Sequence, residues 1–319
     1  MLDGVGEHGV RTRDPPHRAT LKHGTCPLNW ARSATIHSVN AVEVRELRKS
    51  YGDHEAVRGI TFDIAEGEVF CLLGPNGAGK TTTVEILEGY RSRDAGEVTV
   101  LGLDPGRRDR TLRERMGVVL QHSETWPQLT VVETLRIYAG YYRNPRDVGE
   151  VIELVGLVEK RDARIKVLSG GQKRRLDLGL ALIGNPDLVF LDEPTTGFDP
   201  QARRNAWEMI RGLRALGKTI LLTTHYLDEA QQLADRLAVL RDGVIVTEGT
   251  PGELVASSRT EISYRENGEV QVVPTDEPTR VLHELTSRAV AQGRELEELE
   301  VRRRSLEDVY LELLREDDA

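Results

Sequence analysis

Gly74-Pro75-Asn76-Gly77-Ala78-Gly79-Lys80-Thr81-Thr82 follows an apolar run, Val69-Phe70-Cys71-Leu72-Leu73, and leads into a helical pattern from Thr82 to Leu87. The run reads as a buried strand, so the glycines fall between a strand and a helix. That is the setting in which a phosphate-binding loop works. Glycines let the backbone turn tightly and point successive N–H groups at a phosphate, and the helix N-terminus adds its partial positive charge. Gly74, Asn76, Gly77, Ala78, Gly79 and Thr82 are the backbone of such a cradle. Lys80 can reach the β- and γ-phosphates, and the Thr81 hydroxyl can ligate Mg²⁺.

A second match lies at Leu188-Val189-Phe190-Leu191-Asp192-Glu193-Pro194. Four apolar residues ending in two acids predict a buried parallel strand that delivers carboxylates at its C-terminal end. Asp192 is placed to hold Mg²⁺ through its water shell, and Glu193 to polarise an attacking water. A third match is Leu168-Ser169-Gly170-Gly171-Gln172, ahead of a helical pattern from about Lys173 to Ile183. Ser169 with Gln172 fits a capping box. Capping does not need the glycine pair between them, which suits close backbone approach to an anion at the helix N-terminus.

With these three motifs the chain resembles the ATP-binding-cassette (ABC) ATPases, whose signature is the pentapeptide at 168–172. The resemblance implies that Ser169, Gly170, Gly171 and Gln172 of one subunit close over the ATP held by the phosphate loop of a second. It implies that Tyr51, in Lys49-Ser50-Tyr51-Gly52, stacks on adenine. It also implies that Gln121, after Gly117-Val118-Val119-Leu120, senses Mg²⁺ and the γ-phosphate. His225, after Thr219-Ile220-Leu221-Leu222-Thr223-Thr224, matches the family's switch histidine, which contacts the γ-phosphate. Asp199, in Gly197-Phe198-Asp199-Pro200, matches the loop that communicates across the dimer, with Phe198 where leucine is more usual.

Composition agrees. The 319 residues suffice for one large domain and an appendage, and 39% apolar with 30% charged residues suits a soluble globular protein. A net charge of −9 without a basic block argues against a nucleic-acid partner. Cys26 and Cys71 form no disulfide framework and no metal-ligand spacing, and Cys71 reads as a buried small hydrophobe. No run approaches the roughly 18–20 apolar residues that span a bilayer, so a membrane path is expected in another chain.

Along the chain, residues 1–38 read as a disordered extension without a signal-peptide core, or as the product of an upstream start. The ATPase domain is expected over 39–253. It opens with strands around Val42, Val44, Leu47, Ile60, Phe62 and Ile64. A helical subdomain is expected at about 122–170, starting from a Thr130/Glu133 capping box, with Trp126, Tyr138, Tyr141 and Tyr142 available for docking on a membrane partner. Asp242-Gly243 between β-rich runs signals a hairpin. Residues 254–319 form an accessory domain of strands at Glu261–Tyr264 and Val270–Val273, then a helix near Thr279–Gln292. A terminal helix with a Ser305/Asp308 start presents Leu306, Val309, Tyr310, Leu313 and Leu314 on one face. That face must pack on the appendage's own strands, a partner subunit or the permease. This tail resembles the daunorubicin-type drug-resistance exporters within the family.

The expected fold is therefore α/β. It has a P-loop NTPase core with an antiparallel β subdomain and a helical subdomain, plus a small α+β appendage. The function implied by the resemblance is that of an ATPase subunit using ATP and Mg²⁺. It would dimerise on ATP and drive a separate membrane permease, an exporter, from the cytoplasmic face of the membrane. The alternative from another class is a soluble ABC ATPase acting on ribosomes or DNA.

Overall fold

A computed structural model describes residues 39–119, 126–256, 260–266, 268–303 and 305–315. The expected N-terminal extension (1–38), Cys26 and Gln121 lie outside the described residues, as do the side chains of Leu313 and Leu314.

The central sheet is built from β3 (Val69–Leu73), β5 (Met116–Val119), β6 (Leu188–Asp192), β7 (Thr219–Thr224), β8 (Arg236–Arg241) and β9 (Val244–Gly249), in the order β5-β6-β7-β3-β8-β9. All neighbours are parallel except the β8–β9 hairpin. Asp242 and Gly243 turn that hairpin with φ of 47° and 78°, the positive pair that a tight turn of this hand requires.

Helices on one face and a second sheet on the other bury the parallel strands, which is why they read as unbroken apolar runs. Val69, Cys71 and Leu73 point to the face covered by α3 (Val131–Ala139), α4 (Val148–Leu154), α5 (Gly170–Leu182), α6 (Pro200–Ala215) and α7 (Leu227–Leu233). Phe70 and Leu72 point to the other face. There they meet α1 (Lys80–Leu87) and an antiparallel sheet of β2 (His54–Ala65), β1 (Asn40–Tyr51) and β4 (Ala95–Val100), joined in that order. Phe62 stacks on Phe70 with ring centroids 5.3 Å apart. The short helix α2 (Arg110–Glu114) leads into β5. Burial raises the Cys71 thiol well above its usual range.

Both capping boxes form. Thr130 and Glu133 exchange bonds at the start of α3, and Ser169 and Gln172 do so at the start of α5. The α5 helix therefore begins at Gly170, inside the signature, three residues before the apolar period becomes legible. Helix α1 also starts early, at Lys80 rather than Thr82. Trp126 and Tyr141 are exposed, whereas Tyr138 and Tyr142 pack against the core.

After α8 (Pro251–Ala256) the appendage forms a sheet of β11 (Glu269–Thr275), β10 (Thr260–Glu266) and β12 (Glu297–Arg303), with α9 (Pro278–Ala291) packed on it through Leu285. The last helix, α10 (Leu306–Arg315), starts with reciprocal Ser305–Asp308 bonds, as expected. Its apolar face does not turn to the appendage strands. Leu306 and Tyr310 join the cluster of Ala230 and Leu233 on α7 and Leu254 on α8.

Leu306 is 2% exposed there, so Leu306→Ala should lower unfolding stability by about 2–4 kcal/mol. A denaturant midpoint equal to the parent's would show that α10 does not share the core.

A second expectation concerns Glu88, which caps the C-terminal end of α1 and is 9% exposed. Burial, with Asp192 and Glu85 nearby, pushes its carboxyl up to about 8. The folded chain then holds a proton that the unfolded chain has released. Stability attributable to this group is present below the unfolded carboxyl range and is lost as pH rises towards 8, by at most about 1.4 kcal/mol per unit. Glu88→Gln should flatten that slope. Melting curves of both proteins in metal-free buffer from pH 5 to 8 should diverge steadily, with the variant gaining relative stability. Parallel curves would mean that Glu88 is ionised throughout.

Candidate active site

The carboxyl ends of β3, β7 and β6, three neighbours in the sheet, carry the residues that the sequence singled out. Register sets them level: Leu73 pairs with Thr224, and Asp192 with Thr223. Strand β6 ends at Asp192, β7 one residue before His225, and β3 where the glycine-rich loop begins.

The loop after β3 is held by close packing. A Cβ at Gly74 would lie 2.2 Å from the Leu240 carbonyl oxygen, and one at Gly79 would lie 2.4 Å from that of Ala56. Gly79 also has a φ of 102° and, as N-cap of α1, supplies no side-chain cap. The first N–H groups of α1 are thus not claimed by a capping side chain, which leaves that end suited to an anion.

Lys80, 4% exposed, turns back over the loop. Its Nζ donates to the carbonyl oxygens of Gly74 (2.8 Å) and Pro75 (3.1 Å) and lies 3.5 Å from Glu193 Oε1. The same Glu193 oxygen is 3.2 Å from His225 Nδ1, and Thr196 Oγ1 donates to Glu193 Oε2 at 3.1 Å. Burial works to raise the Glu193 carboxyl. The His225 contact, the Lys80 charge and the Thr196 hydroxyl outweigh it, so the group stays below its ordinary value and ionised at neutral pH.

Glu193 has a φ of 46°, an uncommon conformation for a side-chain-bearing residue and one that functional sites hold by surrounding bonds. Its N–H donates to both the carbonyl and the hydroxyl oxygen of Thr223, each at 3.1 Å. The Thr223 hydroxyl in turn donates to Asp192 Oδ1, and the Thr81 hydroxyl donates to Asp192 Oδ2 at 3.3 Å. Thr81 and Asp192 thus set a hydroxyl and carboxylate oxygens side by side, the hard oxygen donors that Mg²⁺ takes.

Thr223 and Thr196 were not picked out from the sequence. The available signal was a threonine pair ending an apolar strand, and it is weak because threonine is common in strands.

The remaining candidates lie around this cluster. Tyr51 closes β1, 40% exposed, with the Arg91 guanidinium 5.2 Å and Lys49 Nζ 5.6 Å from its ring centre. Ser169, Gly170, Gly171 and Gln172 line a cleft of about 930 Å³ with Glu193, Thr196, Phe198 and Asp199. None of the described hydrogen bonds or ion pairs joins them to Gly74–Thr82. A Cβ at Gly170 or Gly171 would meet nothing within 4 Å, so this chain's own packing does not require glycine there. Asp199 caps α6, accepting from the N–H groups of Gln201 and Ala202 at 2.9 Å.

Comparison with known proteins agrees with this geometry. Residues 57–196 match the family model described as ABC transporter. The Nod factor export ATP-binding protein I of Paraburkholderia xenovorans is 47% identical over 222 residues, covering 68% of this chain and 73% of that protein. Its counterpart in Rhizobium sp. is 42% identical over 299 residues, covering 86% and 96%. Among solved structures, an ATP-binding cassette of an ABC transporter in its ADP conformation superposes with a TM-score of 0.61 at 26% identity, over 67% of this chain and 92% of that one. A dimeric cassette in a post-hydrolysis state with ADP and phosphate gives 0.59 at 25%, over 66% and 98%. With identity and coverage of this order, the chain belongs to the ATP-binding cassette family: it is the ATP-binding subunit of an ABC transporter, and an ATPase.

Proposed function

We propose that the cluster at the ends of β3, β6 and β7 hydrolyses ATP to power an exporter. In this reading the loop Gly74–Thr82 cradles the phosphates, Lys80 balances their charge, and Glu193 orients the attacking water. The observation that carries it is the meeting of Lys80, Glu193 and His225 within 3.5 Å, with Glu193 kept ionised. An ionised carboxylate can accept a hydrogen bond from water and aim it at phosphorus in line with the leaving group. Lys80 exchanges its present partners, two loop carbonyls and Glu193, for phosphate oxygens. His225 meets the same Glu193 oxygen as Lys80 and steadies the carboxylate. Thr81 and Asp192 would hold Mg²⁺, which neutralises charge on the phosphates when bound; Gln121 is assigned there from the motif alone. Tyr51, flanked by cations, stacks on the base.

Neither signature glycine is crowded by this chain, and Gly170 is exposed, which supports a site completed by a second copy, with Ser169, Gly170, Gly171 and Gln172 acting across the dimer. Export is supported by the relatives, which are named as export ATP-binding proteins. The reading as an ATPase acting on ribosomes or DNA finds no support among them. Among the described residues no helix is long and apolar enough to cross a membrane. The permease is therefore assigned to another chain, on whose cytoplasmic side this subunit sits, and the exposed Trp126 and Tyr141 are available to it.

Glu193→Gln tests the central assignment. The amide keeps the shape and removes the charge that orients water. ATP should bind within about threefold of the parent, while turnover falls by roughly two orders of magnitude or more and dimers accumulate with ATP·Mg²⁺. Phosphate release at the parental rate would remove Glu193 from the role. The composite site has its own test. A Ser169→Ala, Gly171→Asp double variant and a Lys80→Ala variant, each inactive alone, should regain partial turnover on mixing, because one heterodimer interface keeps an intact site. Full turnover by the signature variant as a sedimenting monomer would show that no second copy is needed.

A further inference from the structure

Helices α6 and α7 are tied by three side-chain pairs, spaced one turn apart along α6. Arg203 Nη1 lies 3.2 Å from Asp228 Oδ2, Trp207 Nε1–H donates to Glu229 Oε1 at 3.1 Å, and Arg211 Nη2–H donates to Gln232 Oε1 at 3.0 Å. Arg203, Trp207 and Arg211 share one face of α6 at i, i+4 and i+8.

The first rung differs from the others. The Arg203 guanidinium also lies over the Tyr226 ring, 4.4 Å from its centre, and the Tyr226 ring sits against the His225 imidazole with centroids 4.0 Å apart. His225 Nδ1 then faces Glu193 Oε1 at 3.2 Å. A guanidinium, an aromatic ring, an imidazole and a carboxylate are thus in successive contact from the first turn of α6 to the hydrolytic cluster, the two rings tilted by 40°. The Asp228 carboxylate is more than half exposed, so the ion pair alone holds little. Arg203 Nε is buried without a hydrogen-bond partner. The guanidinium is thus placed by its flat face rather than by a fork of bonds, a packing that arginine makes and lysine does not reproduce.

We infer that Arg203 is a positioning residue for ATP hydrolysis, acting through Tyr226 to keep the His225 imidazole beside Glu193. The inference rests on the proposed roles of Glu193 and His225. Without the guanidinium, the Tyr226 ring loses a packing partner that helps to fix it against His225. The imidazole then samples orientations that do not face Glu193. Misplacement on this scale lowers the rate of the chemical step without altering the phosphate loop that binds ATP.

The test uses the full-length chain with ATP·Mg²⁺ and the variants Arg203→Ala, Arg211→Ala and His225→Ala, with Arg203→Ala also made in the His225→Ala background. Arg203→Ala should lower kcat about tenfold with KM and ATP affinity within twofold. It should also shift the His225 ring proton resonances, which feel the Tyr226 ring current. Arg211→Ala, which removes a rung that does not touch Tyr226, should change neither. In the His225→Ala background, loss of Arg203 should add less than a twofold effect, because the residue through which it acts is gone. Arg203→Gln keeps the stem packed and serves if the alanine variant does not fold. Parental kcat in the Arg203 variants with an impaired His225→Ala overturns this inference alone. So do equal losses in the Arg203 and Arg211 variants, or independent losses in the double variant. Parental turnover in His225→Ala overturns the assignment of His225 itself, and the inference with it.

Discussion

The cluster at the ends of β3, β6 and β7 depends on a buried cation. Lys80 is almost fully enclosed, and an ammonium out of water is tolerated only with close, well-placed opposite charge and acceptors. Here these are two loop carbonyls and the Glu193 carboxylate. Removing one partner of a buried pair of this kind costs about 3–5 kcal/mol. The requirement runs outward. Glu193 must sit level with the loop, so β6 and β3 must end together. The strand between them, β7, supplies the threonine that holds Glu193 in its left-handed conformation and orients Asp192. The sheet register, two acids, a lysine and a histidine are thus one constraint seen from different strands.

Much of this was legible because it is local. A glycine-spaced loop between an apolar run and a helix, a capping box and an Asp-Gly hairpin each encode their geometry within about ten residues, and each forms. The apolar runs of β3, β6 and β7 announce strands buried on both faces, since no alternation survives when both sides are covered. What escaped has no local period to read. Strand β12, Glu297–Arg303, has only Leu299 and Val301 among three acids and two arginines, too little apolar surface to announce a strand. It is recruited by pairing with β10 rather than by its own propensity. The start of helix α5 is hidden in the sequence because its first turn is glycine, glutamine and lysine, with no apolar residue to mark the helical period. Thr223 is hard to single out because a threonine in a strand usually only packs, and its donor and acceptor roles follow from a register that pairs it with Asp192, 31 residues away in the chain.

The terminal helix shows a different limit. Its apolar face was clear in the sequence, and its partner was not. An amphipathic stripe says that something covers it, and i, i+4 spacing does not say what. Leu306 and Tyr310 find α7 and α8.

That contact bears on how His225 is held. Helix α7 has only seven residues and no side-chain cap at its start, so alone it would be marginal. It keeps its place through the α6 ladder on one side and the apolar cluster of α8 and α10 on the other. His225 stands two residues before it. The histidine's orientation is therefore set by tertiary packing from both flanks rather than by the strand that delivers it. This is the physical reason why a histidine at a strand end is so weak a signal by itself: the groups that aim it, Tyr226, Arg203 and the helices behind them, converge on it only once the chain has folded.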